Sequence, residues 1–161
     1  MLDGKRVLIT GANGGIGSSI SEILLKNNAK LILLYHKNRN NIDKLIENFP
    51  DHKLEVFQLD LLDDTKLNNT MESILSSGHI DCLIHGVTFP ISYKSILEKK
   101  WEHFQKNIEL QTKSLFQLID ILVPVMKNQK HGKIINILSS SVIGTPPSGA
   151  SDYVVGKYSL L

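Results

Sequence analysis

The sequence has a single cysteine, little excess charge of either sign and no long apolar run, and each of these absences excludes a class of protein. Cys82 alone cannot form an internal disulfide, so a disulfide-framed secreted fold is excluded. The 18 Lys and Arg residues nearly balance the 16 Asp and Glu residues, which argues against nucleic acid or a membrane surface as a partner. The longest apolar stretch, residues 115–126, is shorter than the roughly 20 residues of a membrane span.

The composition predicts one globular domain that covers residues 1–161. With 161 residues, of which 42% are hydrophobic, the chain is long enough to bury a sizeable core. The single cysteine and the absence of an apolar leader at the amino terminus predict a cytoplasmic protein. The 6 histidines show no ligand spacing with each other or with Cys82, so the sequence predicts no metal site.

Five short apolar runs alternate with helical patterns along the chain. The runs are rich in Val, Ile and Leu and occupy residues 6–10, 30–35, 54–59, 80–85 and 133–138. Their nearly continuous hydrophobicity is typical of strands that are covered on both faces of a parallel sheet. The sequence therefore predicts an α/β fold, a Rossmann-like doubly wound sheet of five parallel strands in the order 3-2-1-4-5, with helices on both faces.

The helical patterns between the strands differ in length. Apolar residues at helical spacing predict shorter helices near residues 16–24, 42–46 and 67–75, and a longest helical stretch from about residue 94 to 128. The predicted buried face of that longest stretch consists of Trp101, Phe104, Ile108, Leu115, Leu118 and Leu122. The neighbouring lysines Lys99 and Lys100 are interpreted as a solvated helix face.

A glycine-rich loop directly follows the first strand. It reads Thr10-Gly11-Ala12-Asn13-Gly14-Gly15-Ile16-Gly17, and a helical pattern begins inside it. Glycine allows the backbone to approach a dinucleotide pyrophosphate, whose charge is favoured at the amino end of a helix. A tight turn without a ligand is the alternative interpretation. The context favours a dinucleotide site that comprises Gly11, Asn13, Gly14, Gly15, Ile16 and Gly17.

The residues after the second strand bear on the choice of dinucleotide. An acid that binds the ribose 2′-hydroxyl is expected about 20 residues beyond the loop. The sequence has His36, Lys37 and Arg39 there, and no acid before Asp43. Because cations suit a 2′-phosphate, NADP(H) is favoured as the cofactor and NAD(H) is the alternative, with these three side chains as candidate contacts. A solvated basic turn is the competing interpretation.

A tyrosine and a lysine stand four residues apart near the end of the sequence. On a helix, Tyr153 and Lys157 share one face. They follow the fifth strand, and loops at the carboxyl ends of parallel strands converge on the crevice that the glycine loop also lines. An ammonium group close to a phenol stabilises its deprotonated form, so the pair is suited to proton transfer.

Together these features resemble the short-chain dehydrogenase/reductase family over essentially the whole chain. The matching elements are the glycine loop, Asp60-Leu61 after the third strand, residues 132–137 leading to a serine cluster, and the Tyr153/Lys157 pair. The resemblance, which extends to 3-oxoacyl-(acyl-carrier-protein) reductase-like members, implies an NAD(P)(H)-dependent oxidoreductase. Such an enzyme transfers a hydride between nicotinamide and a small-molecule carbonyl or secondary alcohol.

The resemblance also implies roles for individual residues. Asp60 and Leu61 would lie at the adenine ring, Lys157 would hold the nicotinamide ribose hydroxyls, and Tyr153 would transfer the proton. At the end of the fourth strand, His85 and Gly86 depart from the family's asparagine-rich motif and are expected to allow close approach of the cofactor.

Two further positions belong to the implied catalytic group. A serine would orient the substrate carbonyl, and counting along the chain leaves three candidates, of which Ser140 is preferred, Ser139 is next and Ser141 remains open. Gln111 stands where the family usually has a helix asparagine, with Asn107 nearby, and its amide would bind a relay water.

Two alternatives remain open at the level of the sequence. A nucleotide-sugar epimerase or dehydratase shares the glycine loop and the Tyr-Lys spacing. A dinucleotide-binding fragment without catalysis is the other alternative, because family members usually continue for two more strands that this chain is expected to lack. The resemblance also implies a possible homo-oligomer packed through the long central helix and the tyrosine helix.

Overall fold

A computed structural model describes residues 2–52 and 54–161, and its centre is a parallel sheet. The strands are β1 (Arg6–Thr10), β2 (Lys30–Tyr35), β3 (Glu55–Gln58), β4 (Cys82–His85) and β5 (Lys133–Asn136). All neighbouring strands pair in parallel, in the order β3-β2-β1-β4-β5. The predicted fold class and strand order are confirmed. β4 begins later than predicted because the Asp81 side chain accepts the Arg6 N–H in place of a backbone carbonyl.

The described ranges also contain six α-helices. These are α1 (Gly15–Leu25), α2 (Asn40–Asn48), α3 (Asp64–Ser76), α4 (Trp101–Ile108), α5 (Ser114–Asn128) and α6 (Ser151–Tyr158). A π-helical turn, Glu109–Lys113, joins α4 to α5, and short 3₁₀ turns occupy Ile96–Glu98 and Ser140–Val142. In the ranges that are described, none of the helices has the length and apolar character needed to cross a bilayer.

Alternating side chains of the strands form two separate cores. Leu8, Ile32 and Leu83 pack with α3 and α5 on one face of the sheet. Val7 and Leu33 pack with α1 and α2 on the other face. This division arises because successive side chains of a strand point to opposite faces of the sheet. Each fully buried aliphatic side chain stabilises the folded state by about 1.5–3 kcal/mol. Helices on both faces explain why the strands are hydrophobic throughout.

The longest predicted helical stretch is divided, and part of its predicted buried face is wrong. Leu115, Leu118 and Leu122 are buried as predicted. Trp101 is 68% exposed, since it stacks on Phe104 at the surface instead of entering the core. In α4 and the π-helical turn, the buried positions are polar: they are Asn107 and Gln111, which lie against α6.

Candidate functional site

The glycine loop packs closely against the end of β4. Gly11 has a left-handed φ of +67°, and a Cβ atom on it would lie 2.7 Å from the carbonyl oxygen of Gly86. A Cβ atom on Gly17, in the first turn of α1, would overlap the carbonyl oxygen of Gly11. Both positions therefore need glycine, because any larger residue would push the loop away from the sheet or from α1.

The amino end of α1 is suited to an anion. Gly14 is the N-cap, and among the described residues no side chain caps this helix and no acid lies in its first turn. A Cβ atom on Gly15 would meet open space, and the neighbouring Ile16 is 63% exposed. Backbone N–H groups and the positive end of the helix dipole are therefore available there. This arrangement fits the pyrophosphate of a dinucleotide.

A cleft of about 680 Å³ opens beside the loop, at the carboxyl ends of β2, β3 and β4. The predicted cofactor residues that line it are Gly11, Asn13, Gly14, His36, Lys37, Asp60, Leu61 and Gly86. Gly15, Ile16, Gly17, Arg39, His85, Tyr153 and Lys157 do not line it. Val87, Phe89, Lys106 and Leu110 also line the cleft and were not predicted. They follow β4 or belong to α4 and the π-helical turn, and no sequence motif marks them.

Asn13 faces α2 through its side chain. Its Oδ1 accepts the backbone N–H of Asn41 at 2.9 Å and of Ile42 at 3.3 Å, and the Asn41 side chain donates to the Asn13 carbonyl at 2.9 Å. Asn13 therefore supplies the cap that α2 lacks at its own N-cap residue, Arg39. This contact holds the basic turn after β2 against the glycine loop.

The three basic side chains after β2 have different surroundings. Lys37 is exposed and lines the cleft. His36 Nε2 lies 3.5 Å from a carboxylate oxygen of Asp60 on the same cleft wall. Arg39 instead pairs with Asp43, with Nε 2.8 Å from Oδ1, and this hydrogen bond raises the pKa of the guanidinium. Of the three, Lys37 is the cation that lines the cleft without a described acidic partner.

His85 is a buried link between β1 and the π-helical turn. Its Nδ1 lies 3.0 Å from the Thr10 hydroxyl, which accepts the Gly86 N–H, and its Nε2 lies 3.0 Å from the Gln111 carbonyl oxygen. This pattern assigns the proton to Nε2, because the carbonyl can only accept. Burial lowers the pKa of His85 to about 4. The ring is therefore neutral and structural near neutral pH.

The helix α6 carries Tyr153 and Lys157, and Lys157 reaches the residue after β5. Lys157 is 4% exposed, and its ammonium donates to the carbonyl oxygen of Ile137 at 2.9 Å. Burial lowers the pKa of this lysine. Tyr153 is half-buried, one helical turn earlier. The chain thus places an ammonium group inside the protein, on the helix that carries the phenol.

Gln111 lies at the centre of the π-helical turn and is fully buried. Its Nε2 donates to Asn107 Oδ1 at 3.1 Å, and its Oε1 has no partner among the described residues. A Cβ atom on Gly156 of α6 would lie 2.5 Å from Gln111 Nε2, so this glycine allows α6 to approach the turn closely. π-Helical turns are frequent at functional sites.

The serine cluster follows β5 and forms a compact turn. Ser139 Oγ accepts the Ser141 N–H at 3.1 Å and lies 3.0 Å from Ser141 Oγ, while Ser140 is exposed. The two half-buried hydroxyls therefore bond each other, and the third faces solvent.

The interpretation of Lys99 as part of a solvated face is wrong. Its side chain is 1% exposed, and its ammonium contacts the carboxylate of Asp152 and donates to the Ser92 carbonyl at 2.9 Å. Because the two charges of the pair are separated by 53 positions, no local pattern could have revealed it.

The parallel sheet, its strand order and the glycine loop after β1 define a Rossmann-like fold. The sequence model described as short chain dehydrogenase matches residues 5–160, so the chain belongs to the short-chain dehydrogenase family.

The individual relatives are named as oxidoreductases. The chain is 29% identical over 144 residues to an uncharacterized oxidoreductase of Staphylococcus saprophyticus, covering 87% of this chain and 61% of that protein. It is 28% identical over 162 residues to the 3-oxoacyl-(acyl-carrier-protein) reductase of Thermotoga maritima, covering 97% of this chain and 63% of that protein. The chain thus spans about three fifths of the length of these curated relatives.

A solved structure shows the same similarity. The crystal structure of L-sorbose reductase from Gluconobacter frateurii, complexed with NADPH and L-sorbose, is 28% identical and has a TM-score of 0.87. The match covers 99% of this chain and 61% of that chain.

Proposed function

We propose that the protein binds NADP(H) in the cleft beside the glycine loop and catalyses hydride transfer to or from a small-molecule carbonyl or secondary alcohol. When bound there, the nicotinamide supplies or accepts the hydride. Tyr153 transfers the proton, and the chain's other residues bind and orient the reactants.

The burial of Lys157 carries this proposal. A buried ammonium group is expensive, and lysine is rarely buried unless it has an ionic partner. In the part of the chain that is described, Lys157 has a hydrogen bond to Ile137 but no acidic partner. We assign this lysine a functional role: its N–H groups bind ribose hydroxyls, and its charge assists proton transfer by Tyr153 on the same helix.

The cofactor residues divide by the part of the dinucleotide that they bind. The proposed contacts are Gly11, Asn13, Gly14, Gly15, Ile16 and Gly17 at the diphosphate, His36, Lys37 and Arg39 at the 2′-phosphate, Asp60 and Leu61 at adenine, and His85 and Gly86 along the cofactor. The uncapped amino end of α1 supports the first group. Because His85 is buried, we assign it the role of supporting the end of β4.

The choice of NADP(H) over NAD(H) rests on Lys37. Of the three basic side chains after β2, Arg39 is already paired with Asp43, so Lys37 is the one whose charge we assign to a 2′-phosphate at the cleft. The L-sorbose reductase of Gluconobacter frateurii, which is complexed with NADPH, is a precedent for this choice.

The substrate carbonyl lies between the phenol and the serine cluster in this proposal. Ser140, with Ser139 as the next candidate, donates a hydrogen bond to the carbonyl oxygen together with Tyr153. Gln111 is a positioning residue in this proposal. Its main-chain carbonyl accepts a hydrogen bond from His85, and its side chain packs against Gly156 of α6. A homo-oligomer packed through α5 and α6 is part of the proposal, and the exposed Phe116 on α5 supports it.

The variant Tyr153→Phe tests the catalytic role. With NADPH and a panel of ketones, we expect kcat to fall by at least about 100-fold, because general acid–base catalysis contributes that much. The affinity for NADPH, measured by fluorescence titration, should change by less than about twofold, since the hydroxyl is a small part of the cofactor contacts.

The matched control is Tyr158→Phe, which alters an exposed tyrosine on the same helix and should leave both quantities unchanged. Retained turnover in Tyr153→Phe would refute the role of the phenol. NADPH binding without turnover in the unmodified protein would favour the non-catalytic alternative.

A further inference from the structure

Two histidines and an aspartate from two segments of the sequence meet at the amino-terminal edge of the sheet, opposite the cofactor cleft. His79 and Asp81 precede β4, and His131 precedes β5, the parallel neighbour of β4. His79 Nε2 lies 3.7 Å from Asp81 Oδ2, and His131 Nε2 lies 3.0 Å from Asp81 Oδ1. One ligand atom from each residue can be chosen so that all three lie within 4.8 Å of one another.

The hydrogen bonds of His131 indicate that a cation belongs beside its Nε2. Its Nδ1 lies 2.8 Å from the carbonyl oxygen of Gln129, and its Nε2 faces a carboxylate oxygen. Both neighbours can only accept, whereas a neutral imidazole has one N–H. With the proton on Nδ1, the Nε2 lone pair points at an anion, an arrangement that a cation bound between the two would stabilise. An imidazole whose other N–H binds a carbonyl is also the usual arrangement of a metal ligand.

The ligands are held in place by neighbouring groups. The Gln129 side chain donates to the carbonyl oxygens of Ile80 and His131, at 2.9 and 2.7 Å, and so ties the turn before β5 to the residue before Asp81. The Arg6 N–H donates to Asp81 Oδ2 at 2.9 Å, which fixes the buried carboxylate. Both imidazoles are exposed, so an ion can enter from solvent.

Among the described residues, Lys5 is the one charged side chain besides the histidines that contacts the carboxylate of Asp81. Its ammonium lies 2.9 Å from Asp81 Oδ1, and its side chain is 47% exposed. The charge of Lys5 opposes a bound cation, but a half-exposed lysine can turn its ammonium into water. We therefore expect moderate affinity, and we expect removal of the Lys5 charge to increase it.

From these contacts we propose that His79, Asp81 and His131 bind a divalent transition metal ion. Two imidazole nitrogens and one carboxylate oxygen suit zinc, with water in the remaining position. The bound ion links the starts of β4 and β5. This proposal is independent of the proposed oxidoreductase function, because the cofactor cleft lies at the other ends of the strands.

Calorimetric titration of the full chain with zinc chloride, without cofactor, tests the site. The unmodified protein should bind one equivalent, and His79→Ala and His131→Ala should each weaken the affinity by at least about tenfold. Lys5→Met should strengthen it. His103→Ala, which removes an exposed histidine on α4, should bind zinc as the unmodified protein does. Cobalt absorption spectra of the same four variants report whether imidazole nitrogens coordinate the ion.

The proposal would be overturned if the unmodified protein did not bind one equivalent of zinc, or if His131→Ala left the affinity for zinc unchanged. An equal loss of affinity in His103→Ala would also overturn it, by showing non-specific binding to surface histidines. The thermal midpoints without metal should agree among the variants, since both ligand histidines are exposed, and His79→Gln and His131→Gln replace any alanine variant that does not fold.

Discussion

The ammonium group of Lys99 contacts the carboxylate of Asp152, with 1% and 8% of the two side chains exposed. Lys99 lies two residues before α4, and Asp152 lies in the first turn of α6, directly before Tyr153. The same ammonium donates to the Ser92 carbonyl at 2.9 Å. One buried ion pair therefore attaches the segment before α4 to the helix that carries both residues of the proposed catalytic pair.

Removal of one charge of this pair should destabilise the fold strongly. In Lys99→Met we expect the free energy of unfolding, measured with urea, to fall by about 3–5 kcal/mol, because Asp152 remains buried without a partner. The double variant Lys99→Met, Asp152→Leu should recover at least half of that loss. Lys26→Met, which breaks the exposed pair with Glu22, is the control and should change stability by less than about 1 kcal/mol. Similar losses in Lys99→Met and Lys26→Met would contradict this account.

Two glycines of the loop should respond oppositely to alanine. Gly17→Ala places a Cβ atom on the Gly11 carbonyl oxygen and should lower the free energy of unfolding by about 1–3 kcal/mol. Gly15→Ala meets open space at the start of α1 and should leave stability unchanged or raise it by up to about 1 kcal/mol. Urea unfolding measures the free energy of unfolding of both variants. Equal values would mean that the close contact between Gly17 and the Gly11 carbonyl oxygen does not limit which residue is tolerated at position 17.

The burial of His85 predicts a loss of stability on the acid side. The pKa of its ring is about 4 in the folded protein, against 6.5 for the ordinary value. Between these pH values the unfolded chain takes up a proton that the folded chain does not, so stability falls as the pH decreases from about 6.5 to 4 and then levels. The contribution of this group is roughly 3 kcal/mol.

His85→Gln should remove that part of the pH dependence while keeping a donor for the Gln111 carbonyl. Urea unfolding of both proteins at pH values between 4 and 7 measures the difference. If the two free energies fell in parallel over this range, the histidine would not be the group responsible.

Lys37 should determine cofactor preference. In Lys37→Ala we expect the affinity for NADPH to fall about tenfold, the value of one charge-assisted contact, and the affinity for NADH to stay the same. Lys44→Ala, an exposed lysine on α2, is the control and should change neither. Fluorescence titrations with both dinucleotides give the affinities. Tighter binding of NADH than of NADPH by the unmodified protein would show that the preference is wrong.

Local patterns predicted much of the fold. β1 and β2 begin and end where the sequence predicts, because their apolar runs are uninterrupted and glycine or a polar turn follows them. The strand order was also predicted correctly, since alternating strands and helices allow few topologies. The exposure of Trp101 was not predicted, because helical spacing identifies an apolar stripe but not the element that covers it.

For the site, eight of the residues that the sequence predicts as cofactor contacts line the cleft, including Gly11, Lys37 and Asp60. It did not show that Asn13 would cap α2 or that Arg39 would pair with Asp43. The hydrogen-bond partners of Asn13 and Arg39 depend on how the glycine loop and α2 pack together, and that packing cannot be derived from the local sequence.

The sequence by itself determined the bounds of β1 and β2, the glycine turn and the shared face of Tyr153 and Lys157, because each depends on residues only a few positions apart. The tertiary structure alone decided that Lys99 meets Asp152 and that Asp81 meets His131, which are 53 and 50 positions apart. These contacts depend on which helices, and which amino-terminal ends of strands, become neighbours in space. That is a property of the packed chain as a whole, and no periodicity or motif along the sequence encodes it.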